Sequence, residues 1–374
     1  MRYHLGAALA AAMVASAAIS LAVTPLAGQS RPPQTPTAET PRSKAEIEAA
    51  KEAERKLILD VAEGQRRREA ALALPTDVKN WKPERTPWGD PDLAGVYSNS
   101  DESGVPFERP AQFEGRKLED FSAAEIAKLR EARRNATIDR AASAVEDPHG
   151  HPQLFWWENL NSGGSRAWLV VDPPDGKIPA LTPQARDRAA ARADARRRSG
   201  RGPADAPSDR SLYDRCITRG VPGSMMPAIY GSSYEIVQSP TSVAILYEMI
   251  HETRVIPLDG RASIDKSITQ DMGDARGHWD GETLVVTTKN FKERSVYRNA
   301  NPDTLTLTER FQRTAPDKVR WTVTVDDPAT WTKPWTFSLP LTADPNPMPH
   351  YECHEGNYGL KNILSAARAE EKQK

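Results

Sequence analysis

The sequence predicts a mainly β protein: an antiparallel sheet, closed into a barrel or folded into two layers, with peripheral helices. Three observations predict it. From Tyr234 onward the chain is a succession of short segments that are apolar throughout or alternate with period two. Many of the links between them are short, which favours antiparallel neighbours. The 374 residues include 31 prolines, which suit loops and extended segments better than a helical bundle. An up-and-down sheet of this length tends to curl or to split into layers. The sequence shows no βαβ alternation and no internal repeat.

The strands follow from their stripes. Tyr234–Gln238 and Ser242–Ile250 are apolar on both faces and should be central, and Arg254–Leu258 follows them. The dipeptide Asp280-Gly281 lies between Gly277-His278-Trp279 and Glu282–Thr287, which predicts a hairpin with a type I′ turn, positive φ at both central residues. Leu305, Leu307 and Phe311 alternate with Thr304, Thr306, Thr308 and Arg310. Val319, Trp321, Val323 and Val325 share one face, and Trp335, Phe337, Leu339 and Leu341 make another stripe. Earlier in the chain, Leu93–Tyr97 reads as the first strand and Arg166–Val171 as a short one.

The N-terminal part reads differently. Residues 1–28 have the pattern of a secretory signal: Arg2 and His4, then the uncharged, alanine-rich Leu5–Ala22, then small residues. Residues 29–41 are a Pro/Ser/Thr-rich linker and 42–74 a charged helix with a thin apolar stripe. A single β-rich domain is expected over 81–365, with a tail at 366–374. Two helical insertions interrupt it. One, near 122–135, opens on the capping box Ser122…Glu125. The other, near 183–198, is capped by Thr182 with Pro183 at its first position. Export to the periplasm or the medium is expected, with no membrane span after processing. A net charge of −1 gives no reason to expect nucleic acid.

Export makes a disulfide permissible, and the two cysteines, Cys216 and Cys353, are read as one; the alternative is a pair of buried thiols. Such a bond closes a long loop and stabilises by roughly 4–5 kcal/mol in the chain-entropy account.

Several blocks resemble a family of uncharacterised exported bacterial proteins: PWGDPDLAGVY (87–97), VPFERP (105–110), VVDPPDGKIPALTP (170–183), SLYDRCITRGVPGSMMP (211–227), EMIHETRVIPLDGR (248–261), GDARGHWDGETLVV (273–286), VDDPATWTKPW (325–335) and YECHEGNYGLKNILSAARAEE (351–371). The resemblance implies export and one architecture over most of the chain from about residue 85. It carries no activity. Gly95, close before Tyr97 in the first strand, also resembles the opening of a lipocalin-like barrel.

Nucleophile elbow, P-loop, dinucleotide fingerprint and H-E-x-x-H are all missing from the sequence, which argues against nucleotide use. No cofactor is expected. His149 with His151, and His350 with His354, have metal-compatible spacing. The first pair sits in a proline-flanked loop, and Pro349 and Cys353 disturb a helix around the second, so no metal site is expected.

Two functions remain open. The first is an enzyme using acid–base chemistry, of lyase, isomerase or hydrolase type, on a small-molecule or glycan-like extracytoplasmic substrate. His251, His278 and His354 are its candidate acids and bases, oriented by Asp274 and Glu355. Arg215, Arg254 and Arg276 would hold negative charge, with Trp279 and Tyr358 against the substrate. Asp274, Arg276 and His278 fall on one strand face, either a solvated edge or the floor of a polar pocket. The second is a barrel that binds an apolar or aromatic small molecule without catalysis, using Trp156, Trp157, Trp279, Trp321, Trp331 and Trp335.

Overall fold

The period-two stripes become the inside of a barrel. In the computed structural model, which describes residues 43–72, 82–143, 164–228, 230–354 and 358–373, ten strands form one sheet. The signal at 1–28, the linker at 29–41, His149, His151, Trp156, Trp157 and Glu355 lie outside the described residues. The strands are β1 (Gly95–Ser98), β2 (Val170–Asp172), β3 (Ser233–Ser239), β4 (Ser242–Tyr247), β5 (Thr253–Pro257), β6 (Asp274–Asp280), β7 (Thr283–Lys289), β8 (Thr306–Ala315), β9 (Lys318–Asp326) and β10 (Trp335–Ala343). Nine of them follow in the order β5-β4-β3-β1-β10-β9-β8-β7-β6, while β2 pairs with β10 off that path. The result is a nearly closed antiparallel barrel.

Its interior is side chain. Val319, Trp321, Val323 and Val325 of β9, and Trp335, Phe337, Leu339 and Leu341 of β10, are buried. Phe337 meets Trp321 edge-on with centroids 5.6 Å apart, and Trp331 meets Trp335 in the same way. Trp321, Trp331 and Trp335 are therefore core, and Trp279 packs half-buried against it.

The ring is left open between β5 and β6, the two ends of the hydrogen-bonded path. Every neighbour along the nine-strand path is antiparallel. An odd ring cannot alternate all the way round, so β5 and β6 run parallel where they meet. Parallel neighbours need a crossover rather than a hairpin, and residues 258–273 provide it, returning the length of the barrel. The ring splits accordingly into two ends. One carries tight turns at Pro240-Thr241, Gly281-Glu282 and Pro316-Asp317; the other carries the long connections after β1, β2, β7 and β9.

Three interactions hold the β5–β6 seam. Gly277 of β6 lies so near β5 that a Cβ on it would sit 2.7 Å from Leu258 and 2.8 Å from Ile256. On the outer face, Asp274 accepts from the Ile264 amide at 3.0 Å and Arg276 Nε donates to the Ala262 carbonyl at 3.1 Å, tying the crossover down. Inside, Arg254 of β5 reaches across to the far side of the seam. Its Nη2 lies 2.6 Å from Glu309 Oε2 on β8 and donates to Thr288 Oγ1 on β7 at 2.6 Å. Trp321 Nε1 donates to the other Glu309 oxygen at 3.2 Å. Burial opposes the charge on Arg254, but Glu309 and the Tyr247 hydroxyl outweigh it and hold the guanidinium above its ordinary pKa.

Two local features differ from the sequence expectation. Asp280 pairs with Thr283, so the hairpin turn is Gly281-Glu282, one residue later than expected. Of these two only Gly281 has positive φ, at 58°, which suits a type II′ turn rather than type I′. The strand expected to reach Ile250 ends at Tyr247. Beyond it, Met249–His251 form a single turn with Ile250 at φ 65° and His251 at φ 52°.

Among the described residues four helices lie outside the barrel: α1 (Lys44–Leu72), α2 (Ala123–Ser143), α3 (Pro183–Ser199) and α4 (Gly359–Glu371). The Ser122–Glu125 capping box opens α2, with the Ser122 amide 2.9 Å from Glu125 Oε2, and the Ala185 amide donates to the Thr182 cap of α3 at 3.1 Å. Ile58 of α1 and Ile138 of α2 are buried where these helices pack. The segment read as a tail from 366 is helical through Glu371. None of the described helices is long and apolar enough to cross a membrane.

Beyond β1, Glu102 is 2 % exposed and accepts from the Ser165 amide at 2.9 Å. Burial pushes its carboxyl pKa up, against the Ser165 hydrogen bonds and the Arg166 charge; Asp101 pushes the same way as burial.

Arg254→Met leaves Glu309 buried and unpaired and should cost about 3–5 kcal/mol. Arg254→Met with Glu309→Leu should recover most of that loss in urea unfolding. A single-variant cost below about 1 kcal/mol would remove the pair from the account of closure. For Glu102 the sign follows from the raised folded pKa. The native state prefers the protonated form, so the stability Glu102 contributes is full at low pH and is lost as pH rises through its folded pKa. Glu102→Gln should therefore gain stability relative to the parent as pH rises from 4 to 8. Identical pH slopes for the two proteins in that range would refute the assignment.

Candidate functional site

A cleft of about 500 Å³ opens at the loop end, where residues 211–226, on the way into β3, meet the 290–305 connection between β7 and β8. The first wall begins as a tight turn. The Asp214 amide donates to Ser211 Oγ at 3.0 Å, the Ile217 amide to the Leu212 carbonyl at 2.9 Å, and Cys216 takes a left-handed φ of 52°. Cys216 is disulfide-bonded to Cys353, Cα atoms 6.0 Å apart, so the expected bond is present and ties this wall to the C-terminal strap. Thr218 then donates to Glu252 at 2.7 Å and accepts from the Gly220 amide at 2.8 Å. Gly220, at φ 67°, brings the walls together: a Cβ there would stand 3.0 Å from the Ser295 carbonyl.

Three arginines line the cleft, and its lining contains no aspartate, glutamate or histidine. Arg294 is neutralised by Asp271 through two bonds of 2.8 and 2.6 Å, which hold the Asp271 carboxyl below its usual range. The other two have no carboxylate partner among the described residues. Arg219 lies over the Tyr213 ring at 5.3 Å, and its Nη1 is buried without a hydrogen-bond partner among the described residues. Arg298 lies over Phe107 at 4.4 Å and donates to the Tyr297 hydroxyl at 3.2 Å. Arg298 and Asn299 both hold positive φ, 49° and 59°, costly for non-glycine residues.

Arg298 also borders a second cleft of about 240 Å³ against α3. There Arg188 donates to Thr330 Oγ1 at 2.7 Å and Arg192 pairs with Glu293 at 2.7 Å.

The uncharged lining is aromatic and apolar: Tyr213 and Tyr297, with Val221, Met226 and Val296. Burial pushes both tyrosine pKa values up, and for Tyr213 hydrogen bonds with Tyr230 and Tyr351 add to it. These hydroxyls remain neutral donors near physiological pH. Burial also pushes up the carboxyls of Glu248 and Glu252, which stand behind the wall. The arrangement presents positive charge, neutral hydroxyls and aromatic faces.

The residues singled out in the sequence disperse over the molecule. Asp274, Arg276 and His278 do share one strand face, and it is the outer one: Asp274 and Arg276 bind each other and the crossover, and His278 is exposed. Arg254 is inside the barrel. Trp279 is on the inner face of β6, and its indole nitrogen is buried without a partner. Arg215 is half-buried in the 211–217 turn, beside Asp214, which pairs with Arg210 at 3.0 Å. His354 is exposed next to Cys353, and Tyr358 is exposed at the start of α4. His251 is exposed and stacks on His350, centroids 5.0 Å apart.

Glu309 and Arg298 were not singled out. A carboxylate at 309, in register with Leu305, Leu307 and Phe311, is a readable sign of an interior charge; a loop arginine such as Arg298 carries no such sign.

No protein-family model and no curated protein matches the chain. Among solved structures, a point mutant of the fluorescent protein UnaG is similar at 13% identity, over 36% of this chain and 86% of that one, with a TM-score of 0.20. A likeness of that size carries no argument about ligand or chemistry.

Proposed function

We propose that this chain is an exported barrel protein that binds a small organic anion with an aromatic or apolar body, held between Arg219 and Arg298 in the loop-end cleft. The observation that carries this reading is a cleft lined by three arginines and, among the described residues, no acid or imidazole, two of the guanidiniums having no carboxylate partner there. A carboxylate, sulfate or phosphate group supplies the missing counter-charge, and the tyrosine faces suit the body of the molecule. The acid–base reading needs at least two of its candidate groups to converge; His251, Asp274 and His278 each have neighbours of their own, and Glu355 lies outside the described residues. Export agrees with the signal-like pattern of residues 1–28 and with a disulfide between positions 137 residues apart.

The test is calorimetric titration with a panel of aromatic carboxylates, sulfates and phosphates, each beside a neutral isostere. At least one anion should bind, and its isostere at least about tenfold more weakly, a difference of about 1.4 kcal/mol. Arg219→Met and Arg298→Met should each weaken binding by about tenfold or more with the melting temperature nearly unchanged. Arg310→Met, which removes an exposed partner of Asp280 at the turn end, should bind like the parent. Equal affinity in the cleft variants, or no binding across the panel, sinks the reading.

A further inference from the structure

A second site stands apart from the cleft lining. His251, His350 and Glu352 each offer one ligand atom, and these atoms all lie within 4.8 Å of one another at the surface. They come from segments distant in the sequence, and each segment is held by the fold. His251 sits on the turn between β4 and β5, where Ile250 and His251 both take left-handed φ. That conformation is strained, above all for a β-branched residue such as Ile250. Met249, buried beneath Gly231, anchors it: a Cβ on Gly231 would stand 2.6 Å from the Met249 methyl.

The opposing strap alternates. His350 and Glu352 are exposed, Tyr351 is half-buried, and Cys353 is buried in the disulfide with Cys216. The two outward residues therefore face the same side, and His350 Nδ1 is already 2.5 Å from Glu352 Oε1. The His251 and His350 rings stack with planes 26° apart.

We propose that His251, His350 and Glu352 form a binding site for a divalent transition-metal ion, with Zn²⁺ the ion their chemistry fits best. Two imidazoles and one carboxylate are a borderline donor set; Mg²⁺ and Ca²⁺ prefer oxygen ligands throughout. Zinc bonds of roughly 2.0–2.2 Å in a tetrahedron place ligand atoms about 3.4 Å apart. The three side chains are exposed and their ligand atoms lie within 4.8 Å of one another, so side-chain rotation is the movement that would bring them to that spacing. Three protein ligands leave a fourth position for water or an anion. The site is close to the cleft without being part of it. The Tyr351 ring is 6.3 Å from His251, and Tyr351 is hydrogen-bonded to Tyr213 of the cleft lining. The proposal does not depend on the cleft's ligand.

The experiment titrates Zn²⁺, and Mg²⁺ for comparison, into the chelator-treated full chain at pH 7.5 by calorimetry. Co²⁺ substitution gives a spectroscopic readout of the ligand field. Zinc should bind this site well above magnesium. His251→Ala, His350→Ala and Glu352→Gln should each weaken that binding by about tenfold or more and alter the Co²⁺ spectrum while melting like the parent. His278→Ala and the double variant His149→Ala/His151→Ala should keep it. Undiminished zinc binding in His251→Ala, loss in the His149/His151 variant, or no preference for zinc over magnesium overturns the site.

Discussion

The contact between Arg254 and Glu309 is the constraint on which the rest of the barrel depends. Nine strands cannot alternate all the way round, so β5 and β6, the two ends of the hydrogen-bonded path, meet as parallel edges. An exposed edge pair is open to fraying and to strand addition from other chains. Arg254 spans it from inside: it belongs to β5 and its partners belong to β7 and β8, on the other side of β6. A charge so deep costs several kcal/mol unless it is paired. Here a carboxylate, a threonine and a tyrosine face it, while its Nε and Nη1 are buried without a hydrogen-bond partner among the described residues, so desolvation is offset in part and the geometry of the seam is specified at the same time.

The crossover follows from the same parity. Because β5 and β6 run the same way, residues 258–273 must travel back along the barrel, and Asp274 and Arg276 fasten them. That is a structural occupation for two ionisable residues on one strand face. It also sorts the two ends. Short turns close one end. The other receives the long connections, where walls of irregular backbone leave a cleft and where the positive-φ residues Ile250, His251, Arg298 and Asn299 gather. Strain of this kind persists where surrounding structure over-determines it, as the buried Met249 does for the first pair.

Much of the fold was legible. The stripes at 319–325 and 335–341 gave strands and burial together because alternation is a local property. The capping signals at Ser122 and Thr182 were equally local. The hairpin was read one residue early because Asp-Gly and Gly-Glu both contain the glycine that a turn needs; only the pairing of Asp280 with Thr283 separates them. The clefts were not legible. Arg219 and Arg298 meet through two connections whose approach is set by Gly220 against Ser295, and the neighbours of His251 come from the disulfide-held strap. Tertiary juxtaposition of loops leaves no periodic trace in the chain. Arg254 and Glu309 fall between these cases: each breaks an apolar stripe, and two opposite charges on inward faces suggest one another.

The lining of the cleft decides what it can do to a ligand. General acid–base catalysis needs a group that changes protonation near the working pH and touches the substrate. The lining groups are guanidiniums, which stay charged, and phenols whose pKa values are raised further by burial. Glu252, whose carboxyl pKa burial raises, accepts from Thr218 of the lining. The His251 imidazole is not part of the cleft lining; its ring lies 6.3 Å from that of Tyr351. Among the described residues, the lining thus offers positive charge and neutral hydroxyls to a ligand. A cleft of this composition selects by charge and shape, since an apolar wall alone discriminates weakly while an unmet guanidinium rejects a neutral analogue strongly. The affinity of the proposed anion rests on Arg219 and Arg298, which have no carboxylate partner among the described residues.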